Sequence, residues 1–176
     1  MSQKPELRIN CASETATIGE LVLPCRIGKG GFIDGAEGRE GDAKTPLGLY
    51  HLRWGFYRAD KLPEPPCHSK NPLTWRATDK RDGWSDAETD PAYNRFIRLP
   101  HSASHEALWR EDGAYDIVLI ISHNDSPPTA GLGSAVFLHI AQPDDRRTLG
   151  CIAFAPEDMT RLLPHLQQDM AVRLYE

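Results

Sequence analysis

A chain of 176 residues, 40% hydrophobic and 26% charged, is long enough to bury a core without disulfide staples and needs no second domain. Its net charge of −5 leaves no electrostatic footprint for a nucleic acid. No apolar run approaches the roughly 20 residues that cross a bilayer. Met1–Asn10 lacks the basic-then-apolar pattern of a signal peptide, so the expectation is a cytosolic chain or one that has lost its export address.

Taken in order, Leu7–Asn10 and Ile18–Ile27 read as two strands, with Cys11–Thr15 as the turn between them. Cys25 follows Val22-Leu23-Pro24 and reads as a small core residue, whereas Cys11 lies near the turn and reads as exposed. Spacing alone does not place these two within bridging range, and four widely separated cysteines do not make a disulfide scaffold. Gly28–Gly31 breaks the pattern, and Gly35, Gly38 and Gly41 keep the chain in loop. After the Thr45-Pro46 turn, Leu47–Arg53 resumes as an alternating strand. This Gly-rich loop is not a phosphate site, since no Gly-Lys-Ser/Thr follows and no helix opens there.

From Phe56 to Asn94 the chain is rich in Pro, Trp and charge without sustained period, which predicts long loops folded over the sheet. Trp75, Trp84 and Tyr93 argue for order, as anchors to the body or as groove-lining rings. His101 and His105 are four apart and Cys67-His68 adds two donors. Without a Cys-x-x-Cys, a His-Glu-x-x-His or an acidic third ligand, no metal is expected. Ser104–Arg110 reads as a short helix or turn carrying Leu108 and Trp109 inward. Ile117–Ser122 is a buried strand that ends at His123, whose side chain faces a cleft, caps the strand or faces solvent. Glu157–Arg173 carries Met159, Leu162, Leu163, Leu166 and Met170 at helical spacing and reads as an amphipathic helix interrupted at Pro164.

The chemistry concentrates between Gly133 and Phe154. One apolar run, Ala135–Leu138, delivers His139, and a polar loop leads through Thr148-Leu149-Gly150-Cys151 into a second run, Ile152–Ala155. Two short strands joined by that loop bring imidazole and thiol together, as a nucleophile and its base require. The small Gly150 lets a carbonyl approach backbone N–H groups. The alternative is a buried structural cysteine beside a satisfied histidine.

This stretch resembles the L,D-transpeptidase family, the YkuD-type catalytic domain of bacterial cell-wall enzymes. The likeness rests on His139 followed by Thr-x-Gly-Cys after the Gly-Ser-Ala-Val-Phe-Leu lead-in. It extends to Gly28-Lys29-Gly30-Gly31, Arg39-Glu40-Gly41-Asp42, Thr45-Pro46-Leu47-Gly48, Trp84–Asn94, Ser104-His105-Glu106, and Asn124-Asp125 with Pro127-Pro128. The resemblance implies one mainly β domain over 1–176, a sandwich or barrel-like body with one or two peripheral helices, which agrees with the excess of strands. It implies that Cys151 attacks an L-centre carbonyl of a peptidoglycan stem peptide to form a thioester. An amine of a second stem then takes the acyl group, with a 3–3 cross-link favoured over a 1–3 one.

In that reading His139 is the base or stabilises a thiolate, and the N–H groups at Gly150 and Cys151 hold the oxyanion. Thr148 orients the imidazole, meets substrate, or simply bonds backbone. His123, Asn124, Trp84 and Tyr93 line the groove. Donor and acceptor stem peptides are the partners, and no cofactor, metal, nucleic acid or membrane span is implied. The family's place is the periplasm or cell envelope. Two departures stand out: the widespread form has Gly after the His and Arg two residues past the Cys, where this chain has Ile140 and Ala153, so substrate recognition differs. Hydrolysis of the thioester as an L,D-carboxypeptidase, a stem-peptide binding module and a redox thiol protein are the rivals.

Overall fold

The computed structural model describes residues 5–66, 72–144 and 146–176. Its backbone is mostly β. Strands β1 (Glu6–Asn10), β2 (Thr15–Ile18) and β3 (Leu21–Pro24) form a meander, and β4 (Phe32–Asp34) leads to the long β5 (Thr45–Tyr57). There follow β6 (Trp75–Ala77), β7 (Asp82–Ser85), β8 (Phe96–Arg98), β9 (His105–Ala107), β10 (Ile117–Ile121), β11 (Phe137–Ile140) and β12 (Ile152–Phe154). Helix α1 (Pro156–Leu162) and strand β13 (Ala171–Tyr175) complete the order.

The large sheet runs β12-β11-β10-β5-β13-β1-β2-β3, with β4 and β6 pairing on β5. Its two ends meet, because Arg26 and Ala153 exchange backbone hydrogen bonds of 2.8 and 2.9 Å just past β3 and within β12. The sheet thereby becomes barrel-like, and closure removes the exposed edges that an open sheet would leave. A second sheet, β8-β7-β9, covers one outer face of the first.

Strand β10 shows why the layers form. All five of its residues are apolar and buried. With a side-chain period of two, Ile117, Leu119 and Ile121 enter the barrel core, while Val118 and Ile120 join Phe56, Trp84, Leu108 and Phe137 under the second sheet. The continuous apolar run is therefore the signature of a strand wetted on neither face. The second sheet is itself pinned by the fully buried Asp82, which accepts from Arg98, from Arg76 at 3.3 Å and from the Asp79 amide at 2.9 Å.

Several sequence expectations are corrected. The strand expected over Ile18–Ile27 is a hairpin, β2 and β3, turned at Gly19-Glu20. Cys11 is buried at 1% exposure rather than exposed, and both Cys11 and Cys25 are free thiols. The region from 56 to 94 is not loop alone, since β6 and β7 lie in it. Three- and four-residue strands are too short to show a period, and each gains its stability from the sheet it joins. Ser104–Arg110 forms β9 rather than a helix, with Leu108 buried and Trp109 stacked on Arg58 at 3.5 Å.

The expected helix over Glu157–Arg173 ends at Leu162. A 3-10 turn, Leu163–His165, follows with Pro164 in it, and Ala171–Tyr175 becomes β13, parallel to β1 and antiparallel to β5. Proline at 164 cannot donate the helical hydrogen bond, and pairing with two strands satisfies more backbone than a solvent-facing helix end would. His101 and His105 do not share a helix face, and their nitrogens bond Asp90 at 2.6 Å and the Ala103 carbonyl at 2.8 Å. The Cys67-His68 pair lies outside the described residues.

Candidate active site

Strands β11 and β12 run parallel, with His139 opposite Ala153 and Leu138 opposite Ile152. Alternation then decides the faces: Leu138, Ile152 and Phe154 point into the barrel core. His139, Cys151 and Ala153 share the other face, beneath the second sheet. All three open into one cavity of ≈ 520 Å³, within the size range of small-molecule sites. Cys151 also borders a narrower recess formed by the Gly38–Asp42 loop, His123 and the 132–136 segment.

The thiol is held from both sides. Its Sγ donates to the Ala135 carbonyl at 3.1 Å and accepts the Phe137 N–H at 3.4 Å. Burial pushes it up to about 12, with Glu106 adding to the rise, although the sulfur keeps an opening onto the cavity. The His139 ring, 8% exposed, bonds the Ile140 carbonyl through Nδ1 at 2.9 Å and sets its edge against Tyr115, centroids 5.4 Å apart. A carbonyl accepts only, so Nδ1 carries the proton in this bond and the neutral ring keeps its lone pair on Nε2, with the Ala114 carbonyl also beside the ring. Burial pulls the imidazole down to about 4. Of the two expected roles, base or thiolate stabiliser, burial of both groups favours a neutral imidazole beside a neutral thiol. No hydrogen bond joins the two side chains at rest.

The loop before Cys151 explains Thr148 and Gly150. The Thr148 hydroxyl donates to the Cys151 carbonyl at 2.6 Å and accepts the Gly150 N–H at 3.2 Å. It straps the Cys151 backbone and borders the cavity, with no hydrogen bond to the imidazole. The same contact engages the Gly150 N–H, one of the two expected oxyanion donors. Thr45, fully buried, accepts the Gly28 N–H and donates to the Gly150 carbonyl, both at 2.9 Å. Thr45-Pro46, expected as a turn, begins β5 instead, and with the Gly-rich segment it forms the bed of the cysteine loop.

Gly150 itself has φ +133°, and a Cβ there would meet the Lys44 carbonyl at 2.9 Å. Gly150→Ala is expected to displace Cys151 and cut turnover at least about tenfold, with a destabilisation of about 1–3 kcal/mol, read by activity and by chemical denaturation.

The residues expected to line the groove are turned inward. Tyr93, 4% exposed, gives its hydroxyl to Glu40 at 2.6 Å. Trp84 donates its indole N–H to Asn94 at 2.9 Å and packs edge-on against Phe137, leaving only part of its ring on a separate aromatic cavity with Trp54 and Phe96. Asn124 is engaged by Thr129 and Gly133 through three hydrogen bonds. His123 bonds the Leu132 carbonyl at 3.2 Å and borders the narrow recess, with burial lowering its proton affinity. Tyr93 and Asn124 shape the walls from behind, whereas His123 lines the recess beside Cys151 and Trp84 the aromatic cavity.

Sequence reasoning overlooked the hub that holds these walls. Buried Asn94, at φ +53°, accepts the Trp84 and Ala135 N–H groups and donates to the His123 and Asn124 carbonyls. It also overlooked Tyr115, Arg110 and Glu106 on the cavity wall. Glu106 stood in a motif quoted for the resemblance, and Asn94 closed another, which was the only signal available.

A protein-family model, YkuD, the L,D-transpeptidase catalytic domain, matches residues 14–174. The chain belongs to this L,D-transpeptidase family. Similar solved structures include Bd1075 of Bdellovibrio bacteriovorus, at 13% identity and TM-score 0.49, covering 98% of this chain and 48% of that one. L,D-transpeptidase 1 of Mycobacterium tuberculosis is 12% identical with TM-score 0.44, over 99% of this chain and 60% of that one. The helical cell shape determining protein Pgp2 of Campylobacter jejuni is 14% identical with TM-score 0.46, over 97% and 47%. The chain thus spans between about half and three fifths of the length of these proteins. No curated protein matches its sequence. Among the described residues no helix is long and apolar enough to cross a membrane.

Proposed function

We propose that this L,D-transpeptidase domain acts through Cys151 as nucleophile and His139 as general base on peptidoglycan stem peptides of the cell envelope. The observation that carries the reading is that thiol and imidazole share one outer face of the β11–β12 pair and open into one cavity, within the span matched by the family. In the acylation step the thiol turns from Ala135 toward His139 and attacks an L-centre carbonyl, while its proton passes to Nε2. Catalytic hydrogen bonds commonly tighten only when substrate is bound. The Cys151 N–H receives the oxyanion, since Thr148 engages the Gly150 N–H. The imidazolium then protonates the departing amine of the D-residue, leaving a thioester that an amine of a second stem resolves.

The test is incubation with purified disaccharide-tetrapeptide and mass spectrometry of the products. A cross-linked dimer whose donor ends at position three supports the full reading, a donor ending at position one changes the bond, and a shortened monomer alone makes the domain a carboxypeptidase. Unchanged substrate makes it a binding module.

The resting protonation states set the pH dependence. The reactive pair, neutral imidazole with thiol, persists above the His139 value of about 4 and below the thiol value of about 12. Below the lower value Nε2 is already protonated and accepts nothing, so the rate falls as acid is added. Acylation is expected to stay level from roughly pH 6 to roughly pH 8. A rate that falls as pH rises through that window would indicate a required imidazolium.

A further inference from the structure

The cavity beneath the second sheet carries charge that the acylation step leaves unused. Glu106, in β9, opens into it alongside Cys151. Its carboxylate is loosely held: the Tyr115 hydroxyl stands at 3.5 Å and the Arg110 guanidinium at 3.9 Å. That guanidinium is already bound by Asp112 at 2.5 and 3.1 Å. Asp86 also lines this cavity and has a buried Oδ1 with no hydrogen-bond partner among the described residues, while Glu40, which accepts from Tyr93 at 2.6 Å, adds a third carboxylate.

Carboxylates short of partners in a desolvated place cost free energy unless a donor or a cation arrives. Here they also oppose the thiol, because the Glu106 charge raises its proton affinity. The arrangement favours a cationic ligand. A transferase that ends its cycle on an amine has such a ligand, since an alkyl amine arrives as an ammonium at neutral pH.

We propose that Glu106 receives the acceptor ammonium and takes its proton, with Asp86 as the second carboxylate that orients it; this rests on the transpeptidase reading above. One proton moves from R–NH3⁺ to the Glu106 carboxylate. The freed lone pair forms the C–N bond at the thioester carbonyl, and collapse of the tetrahedral adduct breaks the C–S bond. The nitrogen's surplus proton passes through His139 to the departing Cys151 thiolate, and Glu106 releases its own to solvent. The cycle returns an amide, a thiol and one proton. Water needs no ammonium site, so hydrolysis does not depend on Glu106.

The charged and titratable groups facing Glu106 are Arg110, Tyr115, Asp86, Glu40 and Cys151. The experiment uses disaccharide-tetrapeptide as donor and compares two acceptors: a stem peptide bearing a diamino-acid amine, and hydroxylamine, which is unprotonated at neutral pH. Glu106→Gln is expected to form the thioester within about twofold of the wild-type rate and to pass it to hydroxylamine normally. It should transfer to the stem amine at least about tenfold more slowly, with hydrolysed product taking over. The defect should shrink as pH rises toward the acceptor's own pKa, and Glu106→Asp should recover part of it. Equal losses with both acceptors, or none with the stem amine, would overturn the proposal while the thioester still forms. Absence of any thioester in the wild-type chain would overturn the transpeptidase reading and this one with it. Normal hydroxylaminolysis also establishes that the variant is folded.

Discussion

Cys151→Ala is expected to abolish thioester formation and to lower turnover by at least about a thousandfold, because it removes the thiol that lines the cavity beside His139. The fold should persist. The change removes one sulfur whose hydrogen bonds, to the Ala135 carbonyl and from the Phe137 N–H, are weak ones. The resulting void opens onto a cavity rather than the closed core, so the loss of stability should stay below about 1.5 kcal/mol. Intact-mass spectrometry after mixing with tetrapeptide reads the adduct, and thermal melting reads the fold. An adduct of the same mass in the variant would move the nucleophile elsewhere. Cys11 and Cys25 are poor substitutes, since both are buried in the barrel core, away from the cavity.

The second large effect is expected at Asn94. Truncation to alanine strands two N–H groups, of Trp84 and Ala135, and two carbonyls, of His123 and Asn124, in a buried place. Unmade hydrogen bonds of buried groups make this a loss of about 3–5 kcal/mol. Alanine is also disfavoured at φ +53°, a region asparagine tolerates. Asn94→Gly removes the same four bonds but not the backbone preference, so it should be the milder of the two by about 1 kcal/mol. Asn94→Asp keeps both acceptors and turns the two donor positions into a negative oxygen facing carbonyls, which predicts a loss close to that of alanine. Urea denaturation orders the three. A ranking with Asp near wild type would show that the two carbonyls contribute little. Because Ala135 accepts the resting thiol, acylation should fall in all three variants even where folding is complete.

Much of the barrel was legible because its strands carry long-range information locally. The apolar run at Ile117–Ile121 reads as a strand buried on both faces whatever its neighbours are. The period of two around His139 and Cys151 puts both on one face as soon as their strands pair, so the candidate site was readable from one stretch of sequence. The Gly-rich segment and the Thr45-Pro46 turn were visible as motifs, but their work, Thr45 bridging Gly28 to Gly150, joins positions 105 residues apart.

The sequence by itself determined the β-rich class, the family likeness and the placing of His139 and Cys151 on one strand face, because each rests on residue types at short spacing. The tertiary structure alone decided the rest. It made Ala171–Tyr175 a strand, since pairing with β1 joins the two ends of the chain, and the helical spacing of Met159–Met170 obscures the short alternation of Val172 and Leu174. It also fixed the charge states. A sheet from residues 82–107 covers His139 and Cys151, and that burial favours their neutral forms, a choice the sequence left open. Burial is a property of what packs above a residue, and no local pattern of residue types contains it.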